Sequence, residues 1–366
     1  MRYNFPLKVK GERVWRVYVG GRELDKIEKK ENPRDGDMPE LWMLSTVRAA
    51  NPGREDIEEG ICYLEDTDER ISLRELIEKY PAQMLGEDHL AKYGSDMGVL
   101  IKLLDPCERL VMQVHPDKED ARTLFSSQFG KTEIWHILGV REDWPEPPCV
   151  YLGFKEGVTR KDWVDAFNRD DSQKMLDMLH KITVSPGESY IVYGGVPHAA
   201  GAGILYLEIQ EATDLTIRVE RRMASGLAIA DKAIHQGLGF ERMFDCFRYD
   251  GKSQDQVKRD WLLERKCIEN TDDYTVETIV DYTATPCFGT EKVKVTGSMT
   301  ITPGGKFSGL YVLSGRGQLE HPSHKASLAP NDQIFIPACC APFKITSTGD
   351  APLVFFNIYG PQSPAP

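Results

Sequence analysis

Two segments of this chain, SPGESYIVYGGVPHA at 185–199 and APNDQIFIPACCAPF at 329–343, share one frame. Each opens on a proline and a polar turn, runs through an apolar strand, and meets a second proline before a loop of small residues. A strand points alternate side chains to opposite faces, and proline cannot donate to a sheet ladder, so each frame ends a strand and turns the chain. Short strands punctuated in this way suit a jelly roll, and the repetition predicts two of them. The fold class is therefore mainly β with helical additions, arranged as two jelly-roll domains with the helices in the first.

The length of 366 residues suits two domains better than one. The expected division is 1–262 and 263–366. Residues 220–262 are charged and mixed with no clear period, and from about 264 short strands run to the end. Leu73, Leu76, Ile77 and Tyr80 lie at helical spacing and predict a helix over 71–86, with Ser72 as its N-cap and Glu75 three residues on. DKEDARTLFSS predicts a helix over 117–127. Trp163, Ala166, Phe167, Met175, Leu176 and Leu179 predict another over 159–182, capped by Thr159. Strands are expected at 41–46, 98–104, 110–114 and 132–138.

The formal net charge of −12 argues against nucleic acid or an anionic membrane as a partner. A small anionic substrate in a local basic pocket remains compatible with it. No apolar run is long enough to span a bilayer, and the opening MRYNFPLKVKGERVW lacks the apolar core of a signal peptide. The 8 cysteines include no CxxC spacing, which fits a reduced, cytoplasmic compartment.

Within LVMQVHPDKED, Gln113 and His115 are two residues apart on an expected strand and so share a face. Buried polar groups need partners, and either a metal ion or backbone hydrogen bonds would supply them. Glu133 begins an apolar strand, where a carboxylate is costly unless paired or bound, and His136 falls on the opposite face. His198 sits among small residues that let a ligand come close. Two imidazoles, a carboxylate and an amide would suit Zn²⁺, and also Fe²⁺ or Mn²⁺. His89, His180 and His235 are expected on the surface or on helices.

QVHPD, GKTE, VPHAAGAG and LEIQEATDLTIRV, in this order and spacing, resemble the class I mannose-6-phosphate isomerases, zinc enzymes of the cupin superfamily. The resemblance implies two cupin-like jelly rolls and the metal ligands Gln113, His115, Glu133 and His198. It also implies pocket roles for Glu208, Asp214 and Arg218, and places Lys131 beside the ligand carboxylate. A structural alternative pairs Glu208 with Arg218 between strands, and another leaves Lys131 solvated on its loop. One departure concerns Val111, which stands where the family has a serine associated with the sugar phosphate. After Arg218 the chain reads VERRMASG in place of the family's usual sequence, with Arg221 and Arg222 as substitute cations or a solvated pair. The C-terminal half lacks the metal histidines and is expected to be a degenerate buttress, with His321 and His324 in an exposed turn.

The activity implied is metal-dependent aldose–ketose isomerisation, with mannose 6-phosphate and fructose 6-phosphate as the default pair. An isomerase of an unphosphorylated sugar, an Fe²⁺ oxygenase using His115, Glu133 and His198, and a silent sugar-binding protein are the alternatives. Moving a proton between two carbons of an open-chain sugar builds negative charge on an enediolate. Arg218 and the metal would stabilise that charge, while Glu208 and Asp214 would transfer protons or orient hydroxyls, and Lys131 would tune charge or touch the substrate.

Overall fold

The computed structural model describes residues 3–362 apart from 52, 66 and 68. Two antiparallel sheets form the first sandwich. One is six-stranded, in the order Ser189–Val192, Glu133–Val140, Ile204–Glu211, Val99–Leu104, Glu40–Met43 and Glu12–Val14. The other is five-stranded, in the order Ile217–Arg218, Gln113–Val114, His198–Ala200, Cys149–Phe154 and Leu179–Thr183.

The strand Glu133–Val140 shows how period 2 divides the molecule. Trp135 meets His198 of the five-stranded sheet edge-on at 5.4 Å, so Glu133 and Trp135 face the sandwich interior. His136 meets Phe356 of the C-terminal half at 5.3 Å and contacts Ser189 Oγ at 2.8 Å. Both faces of this strand are covered, which is why its first five residues are all buried.

The second sandwich pairs an eight-stranded sheet with a four-stranded one. At one side of the larger sheet the first strand of the chain, Leu7–Lys10, lies antiparallel to Gln333–Ile336, with Leu7 opposite Phe335. Tyr63–Leu64 adds to its outer edge. The division expected at 262/263 is therefore crossed by the sheet itself. Leu7 and Val9 are buried while Lys8 reaches Asp332 at 2.8 Å, so this short amphipathic strand completes the C-terminal core.

The expected helix over 71–86 forms in two pieces, Leu73–Lys79 and Pro81–Leu85. Pro81 has no N–H to continue the ladder and disfavours helical backbone at Tyr80, whose φ is −135°. Ser72 and Glu75 make the reciprocal capping box. The helix expected over 159–182 also divides. Arg160–Asn168 is capped by Thr159, Asp170 turns left-handed at φ 57°, and Asp171 caps Ser172–Asp177. Leu179–Thr183 is then a strand, because it pairs with Cys149–Phe154. Residues 220–262, aperiodic in sequence, hold the short helices Asp231–His235, Gly239–Arg242 and Gln254–Trp261. Much of this segment is held by tertiary packing: Phe244 and Phe247 join Phe154, Trp163 and Phe167 in one buried cluster.

His89 lies on the helix Glu87–Tyr93 as expected, buried with a ring nitrogen 2.6 Å from Asp96 O. Three histidines lie differently from expectation. His180 is buried on the strand Leu179–Thr183, with a ring nitrogen 2.8 Å from Lys252 O. His321 and His324 pair across adjacent strands rather than standing in an exposed turn, and both pack on Phe5. Among the described residues, no helix is long and apolar enough to cross a membrane.

Candidate metal centre and active site

His115 follows the strand Gln113–Val114, His198 begins His198–Ala200, and Glu133 begins Glu133–Val140. The first two belong to one sheet of the sandwich and the third to the other, so the three side chains converge across its interior. They form the one group of three metal-capable side chains among the described residues, with ligand atoms all within 4.8 Å of one another. His115 Nε2 lies 3.2 Å from His198 Nε2, and Glu133 Oε2 lies 3.3 Å from His115 Nε2. The Gln113 amide nitrogen stands 3.3 Å from His198 Nε2.

The far ring nitrogens settle the tautomers. His115 Nδ1 is 2.9 Å from Leu215 O and His198 Nδ1 is 2.8 Å from Val196 O. A carbonyl only accepts, so each Nδ1 carries the proton and each Nε2 presents a lone pair to the cluster. Burial first, then the Lys131 ammonium, pulls the His115 imidazole down to about 3. Burial also lowers His198. Burial opposes ionisation of Glu133, yet the charge of Lys131 above all holds its carboxyl well below the usual range. Glu133 Oε1 is buried with no hydrogen-bond partner. Two facing lone pairs, an ionised carboxylate and an orphaned oxygen are a donor set that a divalent cation fits. Lys131 reaches the same place, 2.7 Å from His115 Nε2 and 2.5 Å from Glu133 Oε2, and is buried rather than solvated.

A pocket opens beside this cluster, and its polar wall is set by sheet register. Glu208 lies opposite Lys102 on one side and Trp135 on the other. Lys102 Nζ is 3.2 Å from Glu208 Oε1, and Trp135 donates to Glu208 Oε2 at 3.2 Å. Burial and the negative charge of Glu133 raise the Glu208 carboxyl, with Lys102 pulling the other way. Arg16 contacts Glu40 at 3.0 Å and Asp214 at 3.2 Å. Burial works against Asp214 ionising, but Arg16 and Lys102 more than offset it and lower its carboxyl. Arg218 donates to Ala233 O at 2.8 Å, and burial lowers its guanidinium from the ordinary range. Val111 and Gln113 line the same pocket.

The structure thus brings together Gln113, His115, Lys131, Glu133, His198, Glu208, Asp214 and Arg218. The alternative pairing of Glu208 with Arg218 does not form, because the register gives Glu208 to Lys102. Sequence reasoning missed Arg16, Glu40 and Lys102. Two of them carried a readable signal: Lys102 interrupts the apolar run GVLIKLL, and Glu40 precedes LWML, so each is a charge placed inside a buried strand. Arg16 stands outside a strand, and only the fold carries it to Asp214.

Residues 11–131 match the family profile of the phosphomannose isomerase type I catalytic domain, and residues 278–355 match the mannose-6-phosphate isomerase cupin domain. Mannose-6-phosphate isomerase ManA of Bacillus subtilis is 25% identical over 270 residues, covering 71% of this chain and 77% of its own. The mannose-6-phosphate isomerase of Streptococcus mutans is 25% identical over 270 residues, covering 70% and 75%. The crystal structure of the Bacillus subtilis mannose 6-phosphate isomerase shares the fold with a TM-score of 0.74 at 21% identity, covering 97% of this chain and 99% of that one. A phosphomannose isomerase variant from Salmonella typhimurium gives 0.71 at 17% identity, covering 98% and 100%. With one segment matching the type I phosphomannose isomerase catalytic domain, another the mannose-6-phosphate isomerase cupin domain, and nearly the whole length sharing the fold of solved relatives, the chain is similar to the phosphomannose isomerases along most of its length.

Proposed function

We propose that this protein is a divalent-metal-dependent aldose–ketose isomerase that interconverts mannose 6-phosphate and fructose 6-phosphate, with Zn²⁺ held by His115, Glu133, His198 and Gln113. The observation that carries the reading is the convergence of two imidazole lone pairs and a buried carboxylate beside a pocket holding Glu208, Asp214 and Arg218. When bound, the ion supplies Lewis-acid polarisation of the sugar oxygens. Glu208 carries the proton between the two carbons, since burial and Glu133 raise its carboxyl while Lys102 at 3.2 Å keeps the ionised form accessible. Arg218, hydrogen-bonded to carbonyls rather than neutralised by a paired carboxylate, faces the charge that develops on the enediolate. Asp214, kept ionised by Arg16, accepts from sugar hydroxyls.

Charge balance supports a phosphorylated substrate. Arg16, Lys102, Lys131 and Arg218 offset Glu40, Glu133, Glu208 and Asp214 around the site. A divalent ion leaves the whole about two charges positive, matching a phosphate monoester of roughly −1.5 to −2 near neutral pH. The test is an isomerase assay with mannose 6-phosphate beside free mannose, before and after chelation. Turnover of the phosphorylated sugar that chelation abolishes and Zn²⁺ restores is expected. Turnover unaffected by complete metal removal would overturn the metal reading, and no turnover of any aldose would overturn the isomerase reading.

A further inference from the structure

The three ligand-bearing loops meet at one turn, Pro116-Asp117. Gly195 N donates to His115 O at 2.7 Å, which ties the loop leading to His198 onto the first ligand. A Cβ on Gly194 would come within 2.6 Å of Asp117 Cα, and one on Gly130 within 2.8 Å of the Asp117 carbonyl carbon. Both glycines are there because backbone packs on backbone. Lys131 N donates to Pro116 O at 2.9 Å, which brings the loop of Glu133 to the same point.

Arg248 grips this junction from outside. Its backbone N–H donates to Gly195 O at 2.9 Å, and its side-chain stem lies where a Gly195 Cβ would be, at 2.5 Å. Its guanidinium pairs with Asp117 and reaches Asp120 Oδ2 at 2.8 Å. Asp117 uses its other oxygen to cap the helix Lys118–Phe125, accepting from Asp120 N at 2.9 Å. The preceding residue, Phe247, is buried in the aromatic cluster of the helical addition, so Arg248 extends from a fixed base.

We propose that Arg248 is a positioning residue for the metal centre. Through Asp117, Asp120 and Gly195 it holds the His115 and His198 loops at one separation, and it makes metal retention depend on the helical addition. The inference rests on the metal reading above. Its side chain is 40% exposed, and exposed ion pairs contribute little to global stability. A purely structural role would therefore leave metal affinity alone, whereas partners that orient metal ligands are worth about 10–100-fold in affinity.

The experiment titrates Zn²⁺ alone into the metal-free full-length protein against a chromophoric chelator. Arg248→Met keeps the stem and removes the charge, and Asp120→Asn removes a partner away from the ligands. Each is expected to weaken Zn²⁺ binding about 10–100-fold, with Arg248→Lys recovering part and the thermal midpoint of the metal-free protein little changed. Affinity within twofold of the parent in Arg248→Met, or weakening that only tracks lost stability of the metal-free fold, would overturn the proposal. Failure of the parent itself to bind Zn²⁺ would overturn the metal centre, a result distinct from an unchanged variant.

Discussion

On the proposed function, chemistry and selectivity separate at Glu208 and Val111. Glu208 is 5% exposed, opposite Lys102 in the sheet and touched by Trp135. Replacing it by Gln keeps the shape and removes the proposed proton carrier. Glu208→Gln is expected to lower kcat by about 10²–10⁴-fold with little change in Zn²⁺ affinity, measured by steady-state kinetics and metal titration. Val111 lines the pocket as a buried isopropyl. A serine there adds a donor, and a site built to hydrogen-bond a substrate discriminates more strongly than an apolar wall. Val111→Ser is expected to raise kcat/KM for mannose 6-phosphate relative to free mannose, and an unchanged ratio removes Val111 from the account of selectivity. The reading of QVHPD, GKTE and VPHAAGAG named the residues that converge, because their types are unusual in apolar strands. It did not reach Arg16, whose importance lies only in which carboxylates it meets.

Elements with a local code formed as read. The Ser72–Glu75 capping box and the Thr159 cap need nothing beyond their own neighbours. Elements whose state depends on a distant partner did not follow the local reading. Leu179–Thr183 continues a helical stripe in sequence, yet becomes a strand because Cys149–Phe154 offers it a ladder. The strand Leu7–Lys10 shows the same dependence over the longest distance, since its partner is Gln333–Ile336. Leu7 is buried there, so Leu7→Ala is expected to cost about 2–5 kcal/mol. The cost should appear in a lower urea midpoint and in faster amide exchange at Gln333–Ile336. Slow exchange retained there would mean that the C-terminal sheet is stable without this strand's packing.

For the whole molecule, the contact between halves carries a pH dependence. His136 is buried against Phe356, and burial, then Lys292 and Arg265, lowers its imidazole to about 4. The unfolded chain binds this proton from about pH 6.5 downwards, so the folded state is favoured above that pH and loses stability as pH falls towards and through 4. The loss attributable to this group is at most about 3 kcal/mol at pH 4. Urea midpoints between pH 7.5 and 4.5 should fall less steeply in His136→Gln than in the parent, and equal slopes would show that His136 does not couple to folding.

The sequence by itself determined two jelly-roll frames, the capping of the helices, and the identity of side chains too polar for the strands that carry them. Those properties follow from backbone geometry and from the cost of burying charge, which act over a few residues. Tertiary structure decided which carboxylate meets which cation, where the first strand docks, and that Arg248 closes the junction of the ligand loops. Such choices depend on register and packing between segments far apart in the chain, and no local pattern encodes the distance between them.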